Sequence, residues 1–272
     1  MPELPEVETI ARDLRPHVTG ALIAAVRIHK PDVLRNSKPP AFARAVTGRR
    51  IAKLERRAKH LVFLLDDGLR MVIQPRMTGS LSVTKRRTRD PYVVLEFPLA
   101  GGRVLAFRDV RRLGAVLLLT PARWKAYTAR IGPEPLERGF TPARMAEVLA
   151  GGRLAVKKAI MDQRRLAGVG NIYANEALWI ARIDPSRPAA GLDKAEVERL
   201  HRAVVDVLMR AVDGRGTTVR DYRTGTGGPG SFQGRLAVYE RAGEPCLRCG
   251  RRIALTHAID QRATYFCPWC QS

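Results

Sequence analysis

The apolar residues of this chain change period along its length. Val7, Ile10, Ala11 and Leu14 recur at helical spacing, with Pro5 in the first turn and Glu6 and Glu8 where the helix dipole favours anions. Pro16 reads as the stop of that helix. From about residue 22 to 119 the apolar runs become short and strand-like, at residues 22–29, 60–65, 69–74, 92–97, 104–107 and 115–119. Turn residues such as Asp66-Asp67-Gly68 and Gly101-Gly102 lie between them, a spacing that predicts a β-sandwich or barrel-like half. Gly132-Pro133-Glu134-Pro135 reads as a linker, after which helical spacing returns. Thr141-Pro142 supplies an N-cap and a first-turn proline to a helix closed by Gly151-Gly152. Asp193 caps a longer helix with Val197, Leu200, Val204, Leu208 and Val212 facing inward and Gly214 at its end. His201 on that helix reads as a satisfied or surface histidine. The order is a β half, a helical half and a cysteine-bearing tail, an α+β arrangement without internal repeats.

Composition narrows the partners. With 272 residues the chain suits two domains, or two plus a small module, and 45% hydrophobic residues suffice for folded cores. Lys and Arg number 48 against 26 Asp and Glu, a net charge of +22. A field of that sign attracts polyanions and makes their binding salt-dependent. An anionic membrane surface is the other candidate, but no basic amphipathic helix with a Trp/Phe face stands out. No apolar run approaches the ~20 residues of a membrane span, and the Pro- and Glu-rich start is unlike a secretion signal. A soluble, reducing compartment is therefore expected.

All four cysteines sit in the tail, as Cys246-Leu-Arg-Cys249 and Cys267-Pro-Trp-Cys270 with 17 residues between the pairs. That is the spacing of a structural zinc site with four thiolate ligands, which leaves no position for a catalytic water. Cys267-Pro-Trp-Cys270 alone resembles a redox motif, but it lacks a βαβ setting and has a partner pair upstream.

Met1 precedes a proline, a small residue after which initiator methionine is commonly removed. The new terminus would be the secondary amine of Pro2, and an α-amino group of pKa ~8 is in part neutral and nucleophilic near pH 7. Its attack on an aldehydic sugar carbon gives an iminium with no N–H proton to lose, an electron sink that eases loss of neighbouring phosphates. Glu3 beside it can protonate a sugar ring oxygen. Helix-cap electrostatics alone also accounts for Glu6 and Glu8.

The wider pattern resembles the formamidopyrimidine-DNA glycosylases, bacterial enzymes that remove oxidised purines. The resemblance runs through Met1-Pro-Glu-Leu-Pro-Glu-Val-Glu-Thr9, Arg57-Ala-Lys59-His-Leu61, Met77-Thr-Gly-Ser-Leu81, Asp109-Val-Arg-Arg-Leu-Gly114 and Gly132-Pro-Glu-Pro-Leu136. It continues in Met161-Asp-Gln163, Gly168-Val-Gly-Asn-Ile-Tyr173, Gly243-Glu-Pro-Cys246 and Gln261-Arg-Ala-Thr-Tyr-Phe-Cys267, in the family's order over nearly the whole chain.

The resemblance implies an N-terminal helix plus β-sandwich catalytic domain over residues 1–132. It then implies a helix–two-turn–helix DNA-binding domain with a lesion-capping loop over 133–235 and a β-hairpin zinc finger over 236–272. Two helices joined at Gly168-Val-Gly170 are expected over residues 163–181, with Asn171 opening the second, either as a plain capped hairpin or as a grip for a phosphate. By the family's pattern Pro2 is the nucleophile, Glu3 the acid, Lys59 a proton donor for β-elimination or a phosphate contact, and Arg262 the group for δ-elimination. Met77, Arg111 and Leu113 match the residues that fill the gap left by an extruded nucleotide. Arg89, Arg153, Lys157 and Asn171 are expected to contact DNA, and Glu6 to line the lesion pocket.

The chain also departs from the pattern: Leu113 stands where phenylalanine is usual, Gln74 and Arg89 stand where histidines are, and Pro75-Arg76 replaces Leu-Gly. Residues 224–231, Thr-Gly-Thr-Gly-Gly-Pro-Gly-Ser, read either as a mobile cover over the base or as a flexible connector. The expected protein is a cytoplasmic, nucleoid-associated monomer that acts on damaged double-stranded DNA and needs one structural zinc, no organic cofactor and no membrane. Its rivals are an endonuclease VIII-like glycosylase for oxidised pyrimidines, against which Leu4 argues, a non-catalytic damaged-DNA binder if Met1 is retained, and an RNA-binding zinc ribbon.

Overall fold

Strand alternation builds the first half. In a computed structural model, which describes residues 2–85, 87, 89–218 and 222–272, β3 (His60–Leu65) and β4 (Arg70–Gln74) pair antiparallel. Leu61, Phe63, Leu65, Met71 and Ile73 point into one core, and Val62 and Val72 point out of the opposite face. Side chains alternate across a strand, so each strand serves two layers. The outer face is covered by Trp124 and Tyr127 of α3 (Pro121–Thr128), which is why these strands read as continuous apolar runs. β2 (Ile51–Arg57) and β8 (Ala115–Leu119) complete a sheet of order β2-β3-β4-β8. The facing sheet has the order β1-β6-β7-β5, formed by β1 (Arg27–Ile28), β6 (Val93–Pro98), β7 (Val104–Asp109) and β5 (Gly79–Thr84). Leu81, Leu95, Phe97, Leu105 and Phe107 close the core from that side.

α1 (Leu4–Val18) lays Val7, Ile10, Ala11, Leu14 and Val18 into the same core and packs against β2, β3 and β5. It runs through Pro16 rather than stopping there. Pro16 lies in the last turn, where Thr19 N–H still reaches the Arg15 carbonyl, so only one internal hydrogen bond is lost. The expected strand at residues 22–29 shrinks to two residues plus isolated bridges at Leu22 and Ile23. The short helix α2 (Pro39–Val46) and strands β2 and β5 had no clear signal in the apolar pattern, because β2 and β5 carry polar residues at nearly every outward position.

The second half holds α4 (Pro142–Leu149), α5 (Val156–Met161), α6 (Asn171–Ala181) and α7 (Lys194–Asp213). Thr141 Oγ1 accepts from Arg144 N–H at the head of α4. Asp193 and Glu196 cap α7 reciprocally, through Glu196 N–H to Asp193 Oδ1 and Asp193 N–H to Glu196 Oε2, at 2.8 and 2.9 Å. Val197, Leu200, Val204, Leu208 and Val212 are buried as expected, and His201 gives Nε2 to the Phe140 carbonyl at 2.8 Å. The α5–α6 connection differs from expectation, because Gln163 lies outside the helix. Its amide organises the turn: Nε2 donates to the Met161 and Val169 carbonyls and Oε1 accepts from Gly168 N–H. β9 (Ala254–Thr256) and β10 (Thr264–Phe266) form the terminal hairpin, which packs on α6.

Two compact units result, Met1–Ala129 with Gly214–Gln233, and Arg130–Asp213 with Gly234–Ser272. Residues 214–233 therefore fold with the sandwich rather than with the helices that precede them, held by hydrogen bonds to α1 described below. The zinc hairpin folds with the helices. Gly132-Pro-Glu-Pro135 is not a loose linker: Gly132 N–H binds the Gln163 carbonyl and Glu134 is 3% exposed. Among the described residues, no helix is long and apolar enough to cross a membrane.

Gln163→Leu removes three hydrogen bonds from the α5–α6 turn at similar volume. Its expected cost is about 2–3 kcal/mol, at about 1 kcal/mol per bond. Denaturant titration followed by circular dichroism checks this.

Candidate active site and nucleic-acid interface

The head of α1 is fixed by one carboxylate. Glu6, 1% exposed, accepts Glu3 N–H on Oε2 at 2.8 Å and Thr217 N–H on Oε1 at 2.8 Å. Glu6 was expected to line a lesion pocket. Each of its oxygens accepts a backbone N–H, which also makes it a clamp holding Glu3 and the base of the 214–233 segment together. Pro2 and Glu3 are both buried, and Met1 lies outside the described residues. Tyr222 supports the clamp, its hydroxyl donating to the Arg215 carbonyl at 3.1 Å. Burial, followed by the Glu6 charge, pushes the Tyr222 phenol far above its usual range and keeps it protonated.

The glycine-rich stretch is anchored at its described ends. A Cβ on Gly225 would lie 2.7 Å from Asp13 Cβ, and Ser231 N–H and Oγ both bind the Gly214 carbonyl. Its glycines serve close packing against α1 and residues 214–216, as well as any covering role. Val219, Arg220 and Asp221, upstream of this stretch, lie outside the described residues.

Lys59 occupies the two-residue turn between β2 and β3. That turn is tied to α1 through Glu8, which takes Arg56 Nε on Oε2 at 3.0 Å, while Arg56 Nη1 donates to the Ala58 carbonyl at 3.1 Å. Helix and turn thus share one ion-paired bracket.

Met77, Arg111 and Leu113 project from two loops joined by Asp109. Its Oδ1 accepts Thr78 Oγ1–H at 2.5 Å and its Oδ2 accepts Gly114 N–H at 2.7 Å, while Thr78 Oγ1 accepts Arg111 N–H at 3.1 Å. Asp109 is 1% exposed, whereas Met77 and Leu113 are 44% and 43% exposed. Two large apolar side chains held out into solvent by a buried polar network suit insertion between bases. Sequence reasoning missed Thr78 and Asp109 as organisers, although both lie inside the motif blocks. Arg89 is exposed and lines a cavity of about 340 Å³ with His29, Lys30, Arg87, Asp90, Pro91 and Val93.

The second unit positions Arg262. This residue is exposed two residues before β10, its N–H bound to Asp260 Oδ1. The next two residues are held from the helices: Asn171 Nδ2 donates to the Ala263 carbonyl at 3.0 Å, and Lys157 Nζ to Thr264 Oγ1 at 2.7 Å and to the Ala263 carbonyl at 3.3 Å. Lys157 is 0% exposed, which corrects its expected role as a DNA contact. A fully buried ammonium cannot meet a phosphate on the surface; it fastens the hairpin to α5. Asn171 is part-exposed at the first position of α6, where helix N–H groups favour anions, and Arg153 is exposed after Gly151-Gly152. Glu176, 2% exposed, accepts the N–H groups of Ala237, Val238 and Tyr239 and fixes the entry to the tail.

The four cysteine Sγ atoms lie within 4.8 Å of one another, with Cys246–Cys270 at 4.0 Å and Cys249–Cys267 at 3.6 Å. A tetrahedral zinc with Zn–S of ~2.3 Å requires S···S separations of about 3.8 Å. The donor set therefore fits one zinc ion, and the distances exclude disulfides. Trp179 Nε1–H donates to Cys246 Sγ at 3.4 Å, so α6 supplies an outer partner to the thiolates.

Three family models match the chain. They are the formamidopyrimidine-DNA glycosylase N-terminal domain over residues 1–116, the formamidopyrimidine-DNA glycosylase H2TH domain over 131–223, and the zinc finger found in FPG and IleRS over 243–272. The chain is 44% identical over 273 residues to the formamidopyrimidine-DNA glycosylase of Chloroflexus aurantiacus, covering 100% of this chain and 98% of the relative. It is 45% identical over 287 residues to that of Thermomicrobium roseum, covering 100% and 99%. Among solved structures it is similar to the MutM (FPG) protein of Thermus thermophilus, with TM-score 0.89, 41% identity and coverage of 99% and 98%. It is also similar to Lactococcus lactis Fpg in complex with abasic-site DNA, with TM-score 0.92, 31% identity and coverage of 99% and 99%.

Lys157→Met is expected to keep its zinc and to leave the salt dependence of DNA binding unchanged. A lysine on a phosphate would reduce the log–log slope by about 0.9; fluorescence anisotropy across a salt series separates the two. Chelation of the zinc is expected to release the hairpin and abolish strand cleavage, read by gel assay after dialysis against a strong chelator.

Proposed function

Because the chain belongs to the formamidopyrimidine-DNA glycosylase family, we propose that Pro2 and Glu3 are its reacting pair. The enzyme is a bifunctional base-excision-repair glycosylase and abasic-site lyase acting on oxidised purines in duplex DNA. The Pro2 nitrogen attacks C1′ of the damaged nucleotide and the base leaves. Glu3 protonates the ring oxygen, and opening of the sugar gives an iminium at C1′. With no N–H to lose, the iminium draws electrons from C2′. Loss of a C2′ proton expels the 3′ phosphate, and a second elimination expels the 5′ phosphate. Lys59 donates a proton in the first elimination, and Arg262 stabilises the departing phosphate in the second.

The observation that carries this assignment is the Glu6 clamp, which holds a chain terminus in one place through hydrogen bonds to Glu3 N–H and Thr217 N–H. Extrusion of the base costs a few kcal/mol. Met77 and Leu113 offset it by filling the gap, and Arg111 takes the edge of the orphaned partner base. Leu113 has no aromatic face, so the wedge relies on shape rather than stacking. Arg89, Arg153 and Asn171 hold phosphates. The zinc fixes the hairpin that bears Arg262.

Borohydride trapping on an 8-oxoguanine·cytosine duplex, followed by peptide mass mapping, is expected to place the adduct on Pro2; an adduct on any lysine overturns the assignment. Glu3→Gln is expected to lose base removal by at least about 100-fold, a usual contribution for a general acid, while cleaving preformed abasic sites with a smaller loss. Equal loss in both assays contradicts a role for Glu3 mainly at the glycosidic step.

A further inference from the structure

Lys59 follows Ala58, whose φ of +51° is a conformation normally left to glycine and whose side chain is 1% exposed. A turn of this kind keeps one shape only where its surroundings hold it. Arg56 holds it from the α1 side through the Ala58 carbonyl. From the other side comes a chain of three side chains drawn from three elements.

Gln74 Nε2, at the end of β4, lies 2.6 Å from Tyr127 Oη on α3. Tyr127 Oη lies 3.0 Å from His60 Nε2, and His60 Nδ1 lies 2.9 Å from the Arg57 carbonyl. The protons follow from the ends. A carbonyl only accepts, so His60 carries its proton on Nδ1 and leaves Nε2 as the acceptor. Tyr127 therefore donates to His60 and accepts from the Gln74 amide. With a neutral imidazole each of the three links then joins one donor to one acceptor. The Tyr127 ring is stacked on Trp124 at 6.0 Å and meets His60 edge-on at 5.6 Å, so its hydroxyl has little freedom to wander. The Gln74 amide nitrogen is thus engaged with Tyr127.

We propose that Tyr127, oriented by Gln74, is a positioning residue for Lys59: it locks His60 onto the Arg57 carbonyl and so fixes the turn from which the Lys59 amine acts. The proposal rests on the role given to Lys59 above. Tyr127 touches neither DNA nor the reacting atoms in this account, and its effect passes through the turn.

The test is a double-mutant cycle on single-turnover cleavage of a preformed abasic site, with Tyr127→Phe, Lys59→Ala and the pair. Phenylalanine keeps the ring and its stacking on Trp124 and removes only the hydroxyl. Tyr127→Phe is expected to slow cleavage about tenfold, the scale of a sub-ångström misplacement of a reacting group. The double variant is expected to cleave no more slowly than Lys59→Ala alone, and duplex affinity to stay within about twofold of wild type. A Tyr127→Phe enzyme at wild-type rate overturns the proposal. So does an equal fold-loss in the Lys59→Ala background, which marks a general effect on the fold. Should Lys59→Ala itself cleave at full rate, the role of Lys59 fails first and the proposal falls with it. Gln74→Leu supplies a second variant, expected to lose about threefold with the same dependence on Lys59.

Discussion

A chain terminus ordinarily frays, and the proposed chemistry requires the second and third residues to hold still. The Glu6 carboxylate meets that requirement. It is buried and accepts two backbone N–H groups, one from nearby Glu3 and one from Thr217, 211 positions away in sequence. A buried carboxylate needs such partners, since an unpaired one would neutralise or unfold its site. The sandwich core supplies the other half of the constraint by burying Val7, Ile10, Ala11 and Leu14, so the helix that presents Pro2 cannot roll. Glu8 and Arg56 extend the fixed frame to the Lys59 turn. The proposed nucleophile, acid and proton donor thus sit on a helix end and a tight turn, braced by buried or half-buried polar groups rather than by long loops.

The same logic governs the tail. Two three-residue strands bury too little to form a stable module by themselves, and zinc supplements the small core around Val238 and Ile253. Metal alone would leave the hairpin free to pivot about its ligands. Lys157, Asn171 and Glu176 prevent this from the helical side, through the Ala263 carbonyl, the Thr264 hydroxyl and three consecutive backbone N–H groups. Lys157 looks like a phosphate ligand in the sequence and acts as an internal fastener, because its Nζ reaches Thr264 Oγ1, which lies two residues beyond Arg262.

Much of this was legible in the residue pattern, in physical terms. Amphipathic spacing in α1 and α7, the Thr141 and Asp193 caps and the paired C-x-x-C signals are local features, and the structure bears them out. What was not legible depends on contacts distant in sequence. Glu6 reads as a helix-start anion until Thr217 is seen beside it. Gln163 reads as helical until its amide is found inside the turn it organises. Residues 214–233 follow a helix in sequence yet pack on α1, and nothing in their composition says so. Pro16 misleads because a proline in the final turn removes only one hydrogen bond. Thr78 and Asp109 sit in recognised motif blocks, yet their work in holding Met77, Arg111 and Leu113 appears only in three dimensions.

The central claim is that a secondary amine at Pro2, held by the Glu6 clamp, forms the bond to the sugar. Intact-mass analysis combined with active-site titration tests it on one preparation. The fraction of molecules that begin at Pro2 is expected to equal the fraction that forms a covalent adduct with excess abasic-site DNA under borohydride. A preparation in which every molecule still carries Met1 and yet titrates as fully active contradicts the account.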